Sequence, residues 1–217
     1  MSDSAPPLSK LYADSEGPVR RVLGRLLPEA EVDGAAGEAR AAFARLSGEM
    51  PYAQRRDHIM FAPAFAVFQW LAVFQVLRGR GIDAHRLGRE MLKLPADSRP
   101  PFTPENIERI LAQAEESQRG AAPNEFVFEI LPGDEQTDWG MDITSCAVCH
   151  AYARHDAMEL VPYLCASDDV ESDAGDLGLR RTGTIALGAH RCDFRYKRGG
   201  EPLRLAAQYP DRIKLEP

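Results

Sequence analysis

No lysine- or arginine-rich run appears anywhere in this sequence, and acidic residues outnumber basic ones, 33 to 26, for a formal net charge of -7. A protein that grips duplex nucleic acid needs a basic face to displace counterions, so nucleic acid is not an expected partner. The opening stretch, MSDSAPPLSKLYADSEG, is polar and lacks the apolar core of a secretory signal,. The expectation is a cytoplasmic protein whose first 16 residues form a disordered tail. Cysteine is scarce. Cys146, Cys149, Cys165 and Cys192 are all in the C-terminal third, and without export they are expected as reduced thiols. No internal repeat is visible. What is present suffices for a packed core without disulfide or metal staples: 217 residues, 44% hydrophobic,.

The chain reads as α+β, with a helical region at 17–120 packed against a strand-rich region at 121–217 in a single domain. Val19, Val22, Leu23, Leu26 and Leu27 recur at helical spacing, and an Ala-rich stretch follows to Leu46,. Residues 59–77 are the most apolar. Their length approaches that of a bilayer span, yet Pro63, Gln69 and Gln75 interrupt them and arginines flank both ends,. A central soluble helix is the expectation and a membrane is not. The same helix would serve a homo-oligomer interface as readily as a core. Short helices are expected at 84–92 and from Thr103-Pro104-Glu105 to Gly120, the latter started by a capping Thr and a first-turn Pro. Residues 126–130 and 139–144 read as strands and 147–164 as a helix. The acidic run SDDVESDAGD at 167–176 reads as a solvated loop,.

Residues 179–187 and 190–197 read as a hairpin about Gly188-Ala189, as in a type II′ turn. In that register Ile185 pairs with Cys192, Thr184 with Asp193 and Thr182 with Arg195. One face then carries Gly183, Ile185, Leu187, Cys192 and Phe194. The other carries Thr182, Thr184, Asp193 and Arg195, a polar set suited to a small anionic ligand. A slip of one residue would reverse the faces.

The run CAVCH, residues 146–150, has the spacing of covalent haem attachment, a chemistry of exported proteins, so haem is set aside,. Cys146 and Cys149 have the spacing of half a zinc site, but Cys165 and Cys192 supply no second close pair; no metal and no other cofactor is assigned. A redox dithiol is a third reading of the pair. Any single cysteine is most simply a small buried hydrophobe. A thiolate nucleophile would need a base or a cation beside it, for which His150, His190, Arg180 and Arg195 are candidates.

The segment RRTGTIALGAHRCDFRY, residues 180–196, resembles the C-terminal region of the L-2-amino-thiazoline-4-carboxylic acid hydrolase family. The resemblance is carried by Arg181, Thr182, Thr184, Gly188, Cys192, Asp193 and Phe194. Cys146 after a strand and the Cys-x-x-Asp of Cys165 and Asp168 add to it. It extends over about 140–197, and Cys149 and His150 depart from the pattern. The resemblance implies hydrolysis of a cyclic amidine: water adds at the carbon between sulfur and nitrogen, a C–N bond opens, and a carbamoyl amino acid results. It implies a catalytic set drawn from Cys146, Cys165, Asp168, Cys192 and Asp193. Arg181, Thr182, Thr184, Arg195 and His150 would bind the small-molecule substrate. The alternative is a non-catalytic sensor that binds a small molecule or metal through its cysteines.

Overall fold

Glycine 88 marks where the two halves of the fold meet. A Cβ there would fall 2.1 Å from the Tyr163 ring, so two helices approach each other as only glycine permits. The computed structural model describes residues 6–96 and 106–216. In chain order the elements are α1 (Leu8–Asp14), α2 (Gly17–Leu26), α3 (Glu29–Leu46), α4 (Phe61–Arg78), α5 (Ala84–Leu92) and α6 (Ile107–Gly120). These are followed by β1 (Val127–Pro132), β2 (Trp139–Ser145), α7 (Ala147–Arg154), α8 (Val161–Ala174), β3 (Cys192–Tyr196) and α9 (Leu205–Gln208). The architecture is α+β. The expected helix start at Thr103-Pro104-Glu105 lies outside the described residues.

Local chemistry accounts for most boundaries. The helical stretch expected at 17–47 is two helices, because Pro28 drives Leu27 into an extended conformation (φ -124°, ψ 155°),. Asp83 caps α5, its side chain accepting the Arg86 N–H at 2.8 Å,. In α3 the small residues Ala35, Ala36, Ala39 and Ala42 are buried, and α4 packs closely against that helix. By length and composition α4 could cross a membrane. Here Phe68, Leu71, Ala72, Phe74 and Leu77 bury it in the main core. The tail expected at 1–16 is corrected from residue 8 onward: α1 docks through Tyr12, which is fully buried with its ring 4.8 Å from that of Phe43. An aromatic anchor of that size outweighs the polar character of its neighbours.

The three strands form one antiparallel sheet in the order β1-β2-β3. Trp139 pairs with Tyr196, Met141 with Phe194 and Ile143 with Cys192; between them Gly140 pairs with Arg195 and Asp142 with Asp193. The side-chain period of two therefore separates an apolar and thiol face from a charged face.

The expected hairpin is corrected. Among the described residues of 179–187, Arg180 makes an isolated bridge to β3 through two backbone hydrogen bonds with Arg195 (2.8 and 2.9 Å), and the Asp193 N–H donates to the Gly183 carbonyl at 3.4 Å, but no strand forms there. The partner of β3 is β2. Residues Ile185–Leu187 coil into a tight turn that ends at Gly188, whose φ of 96° favours glycine,. The acidic loop is also corrected: residues 167–174 continue α8.

Candidate functional site

A cavity of about 400 Å³ lies between the N-terminal part of α4, the apolar face of the sheet and α8. Its lining is mostly apolar, and its polar groups come from three places. On α8, Cys165, Asp168 and Ser172 follow one another at helical spacing on the cavity side, with Glu171 at the mouth,. From β3 comes Cys192, and from the start of α7 comes Cys146. Arg181 enters from the segment before β3.

Arg181 organises this end of the cavity. Its side chain is 1% exposed. One terminal nitrogen donates to Asp168 Oδ2 at 2.8 Å, and the other to the Cys165 carbonyl at 2.6 Å and lies 3.8 Å from Asp169 Oδ1. The guanidinium stands 4.6 Å from the centroid of the Phe194 ring, a cation–π distance. Its Nε–H is buried without a hydrogen-bond partner among the described residues. Burial disfavours the charged guanidinium, but Asp168 and its neighbours outweigh that and hold it protonated.

Thr184 joins two of the thiols. It is fully buried, and its hydroxyl oxygen lies 3.5 Å from Cys165 Sγ and 3.2 Å from Cys192 Sγ. The Ile185 N–H also donates to Cys192 Sγ, at 3.3 Å. All four cysteines are free. Burial pushes the Cys165 and Cys192 thiols up, against the pull of Arg181. The Cys146 thiol is pushed up first by its hydrogen bond with Cys149 and then by burial. These three groups therefore rest as thiols at neutral pH. Among the described residues no group of three or more His, Cys, Asp or Glu side chains is placed to hold a metal ion.

The carboxyls are raised as well. Burial pushes Asp168 up against the pull of Arg181. Glu171 is pushed up to about 7, by its surroundings first and by Asp168 second. Asp169 is buried, accepts the Leu205 N–H at 2.7 Å, and is pushed up to about 6 by burial. Because this folded value lies above the ordinary 3.8, the proton on Asp169 favours the fold below about pH 4. That contribution is lost as pH rises through about 6. Relative to Asp169→Asn, the wild-type protein is expected to lose about 2–3 kcal/mol between pH 4 and pH 7. Urea unfolding of both proteins at the two pH values checks this, and a constant difference would refute it.

Of the residues singled out from sequence, the cavity gathers Cys146, Cys165, Asp168, Cys192 and Arg181, with Thr184 beneath the thiols. Asp193, Thr182, Arg195 and His150 are not in its lining. Asp193 instead accepts the Thr182 and Gly183 N–H groups (3.0 and 2.8 Å) and the Thr182 hydroxyl. Arg195 pairs with the buried Asp142 at 2.7 Å, which Arg191 also reaches at 3.2 Å. His150 is exposed beside Ser145 Oγ. The physical reason is the period of the strand: Asp193 and Arg195 point to the face opposite Cys192 and Phe194,. Glu171, Ser172, Trp139 and Tyr196 were not singled out. Read as helical, the acidic run continues the spacing from Cys165 and Asp168 to Ser172, with Glu171 beside it.

A family model described as L-2-amino-thiazoline-4-carboxylic acid hydrolase matches residues 80–196, more than half of the chain. No curated protein and no solved structure matches. The matched stretch contains every polar residue of the cavity named above; the α4 wall lies before it.

Proposed function

The chain belongs to the L-2-amino-thiazoline-4-carboxylic acid hydrolase family, and from that premise we propose that it opens the ring of a small cyclic amidine carboxylate inside this cavity. The observation that carries the reading is the convergence of Cys165, Asp168 and Arg181 on one mostly apolar space. A cyclic amidine offers an electrophilic carbon flanked by nitrogen and a second heteroatom. Its hydrolysis needs a nucleophile, a group that moves a proton, and fixed charges that orient the amidinium and the carboxylate.

In this reading Cys165 attacks the amidine carbon, and its proton passes to Asp168. As the tetrahedral carbon collapses, Asp168 returns the proton to the departing ring atom. Water then displaces the Cys165 sulfur and gives a carbamoyl product one water heavier than the substrate. Arg181 holds Asp168 in place and offers its unused Nε–H to the substrate carboxylate,. Thr184 fixes the sulfur of Cys165 through its hydroxyl. Glu171 at the mouth faces the incoming amidinium. The low polarity of the lining strengthens each of these interactions and limits competing water.

The test is incubation of purified protein with 2-amino-thiazoline-4-carboxylate, with products read by mass spectrometry. The expected result is catalytic formation of the ring-opened carbamoyl amino acid. If neither this compound nor other cyclic amidine carboxylates are opened between pH 6 and 9, the hydrolase reading fails.

A further inference from the structure

The cavity is longer than the chemistry just proposed requires. Its sheet side is a ladder of three cross-strand pairs: Ile143 with Cys192, Met141 with Phe194, and Trp139 with Tyr196. At 3.2–3.4 Å per residue, the four steps from Cys192 to Tyr196 span about 13 Å,. The thiols are confined to one end, where Thr184 touches the sulfurs of Cys165 and Cys192. The opposite end is aromatic, with the Trp139 and Tyr196 rings stacked at 3.9 Å and inclined by 18°. A five-membered ring bearing an amino group and a carboxylate measures about 6 Å across at ordinary bond lengths. Placed with its amidine carbon at Cys165, such a ring ends near Phe194 and leaves the aromatic end empty. The volume, about 400 Å³, falls in the range of roughly 300–1,000 Å³ that suits larger organic ligands.

We infer that the substrate of this protein is a cyclic amidine carboxylate extended by an apolar, preferably aromatic, group that lies against the Trp139–Tyr196 stack. The inference rests on the hydrolase reading for the reacting end alone. The apolar character of the extension follows from the lining. Beyond Asp168 and Arg181 the sheet offers Met141, Trp139 and Tyr196, and burial keeps the Tyr196 hydroxyl protonated; the charges that reach that hydroxyl are Asp168, Arg181, Glu171 and Asp169, three of them acidic. An anionic extension would lose its hydration there and face Glu171 and Asp168, with little in return,. An aromatic ring would gain both buried area and offset stacking.

Binding separates this inference from the question of turnover. Two probes are titrated calorimetrically into the full-length protein: 2-amino-thiazoline-4-carboxylate, and the same compound carrying a benzyl group on the ring carbon next to sulfur. The benzylated ring is expected to bind at least tenfold more tightly. In Trp139→Leu the ratio of the two affinities is expected to fall toward one, and Tyr196→Leu, a separate change on the other strand, is expected to do the same should the first variant fold poorly. Tighter binding of the extended ring without any ring opening would remove the hydrolase reading and leave the aromatic subsite standing. Equal affinities in the wild-type protein would overturn the subsite, even if the small ring is hydrolysed. Binding of neither probe would overturn both.

Discussion

Cys165→Ala is expected to lower the rate of ring opening by at least about a thousandfold while leaving the fold intact, as judged by circular dichroism and by binding of unreacted substrate. The expectation comes from position. Cys165 combines a sulfur facing the cavity with an acid–base group one helical turn away, at Asp168. Its own carbonyl holds the Arg181 guanidinium. The thiol is protonated at rest, so attack has to be coupled to proton removal, and a carboxylate held by an arginine is suited to accept and return that proton. Cys192→Ala should cost far less, about tenfold, because the residue is buried and its sulfur serves mainly to hold Thr184 and the Ile185 N–H. Full turnover in Cys165→Ala would eliminate the thiol mechanism; a larger loss in Cys192→Ala would move the nucleophile to β3. Single-turnover kinetics with mass spectrometric detection of a protein-bound adduct distinguishes the two.

Arg181→Met is expected to destabilise the protein by about 3–5 kcal/mol at pH 8, the usual consequence of leaving a buried carboxylate, here Asp169, without its cation; Asp168 is 37% exposed and adds less,. For a chain of this size that corresponds to a fall in Tm of roughly 6–20 °C. Asp168 and Asp169 both rely on this guanidinium, and their pKa values are already raised by burial. The loss should therefore shrink as pH falls through about 6, where Asp169 takes up a proton and no longer needs the partner,. Methionine keeps the unbranched stem but not the guanidinium over Phe194, so part of the loss comes from packing,. Equal unfolding free energies for variant and wild type in urea at pH 8 would show that Arg181 does not hold this cluster together.

Local patterns in the sequence were enough to place α4, α5, β1, β2 and the start of α7, because each depends on hydrophobic period, capping or a Pro or Gly within a few residues. The segment around β3 is not legible in the sequence, for a physical reason. Gly188 does mark a turn, but nothing within residues 179–197 reveals that the strand partner of Cys192–Tyr196 is Trp139–Ser145, some fifty positions earlier. The acidic run at 167–176 is hidden in a similar way. Its charge suggests a solvated loop until Arg181 is placed under Asp168 and Asp169. Of the candidate site, the thiols, Asp168 and Arg181 were legible through the family resemblance. The division of Cys192 and Phe194 from Asp193 and Arg195 was also legible, since it needs only the period of the strand. Which of those two faces meets a cavity was not.

Asp193 and Arg195 hold a different kind of information. Arg195 holds β3 to the buried Asp142 of β2, and Asp193 holds the Thr182–Gly183 backbone to β3, so the two charges pin β3 between its neighbours. A shift of one residue would turn Cys192, Phe194 and Tyr196 outward and bring the charges in. The most recognisable stretch of the sequence is thus partly a latch. In this chain the latch sets the frame and the placement of the thiols, while Met141, Trp139 and the α4 wall lie outside it. Kinship recognised through such a latch speaks for the vessel and not for what the vessel holds.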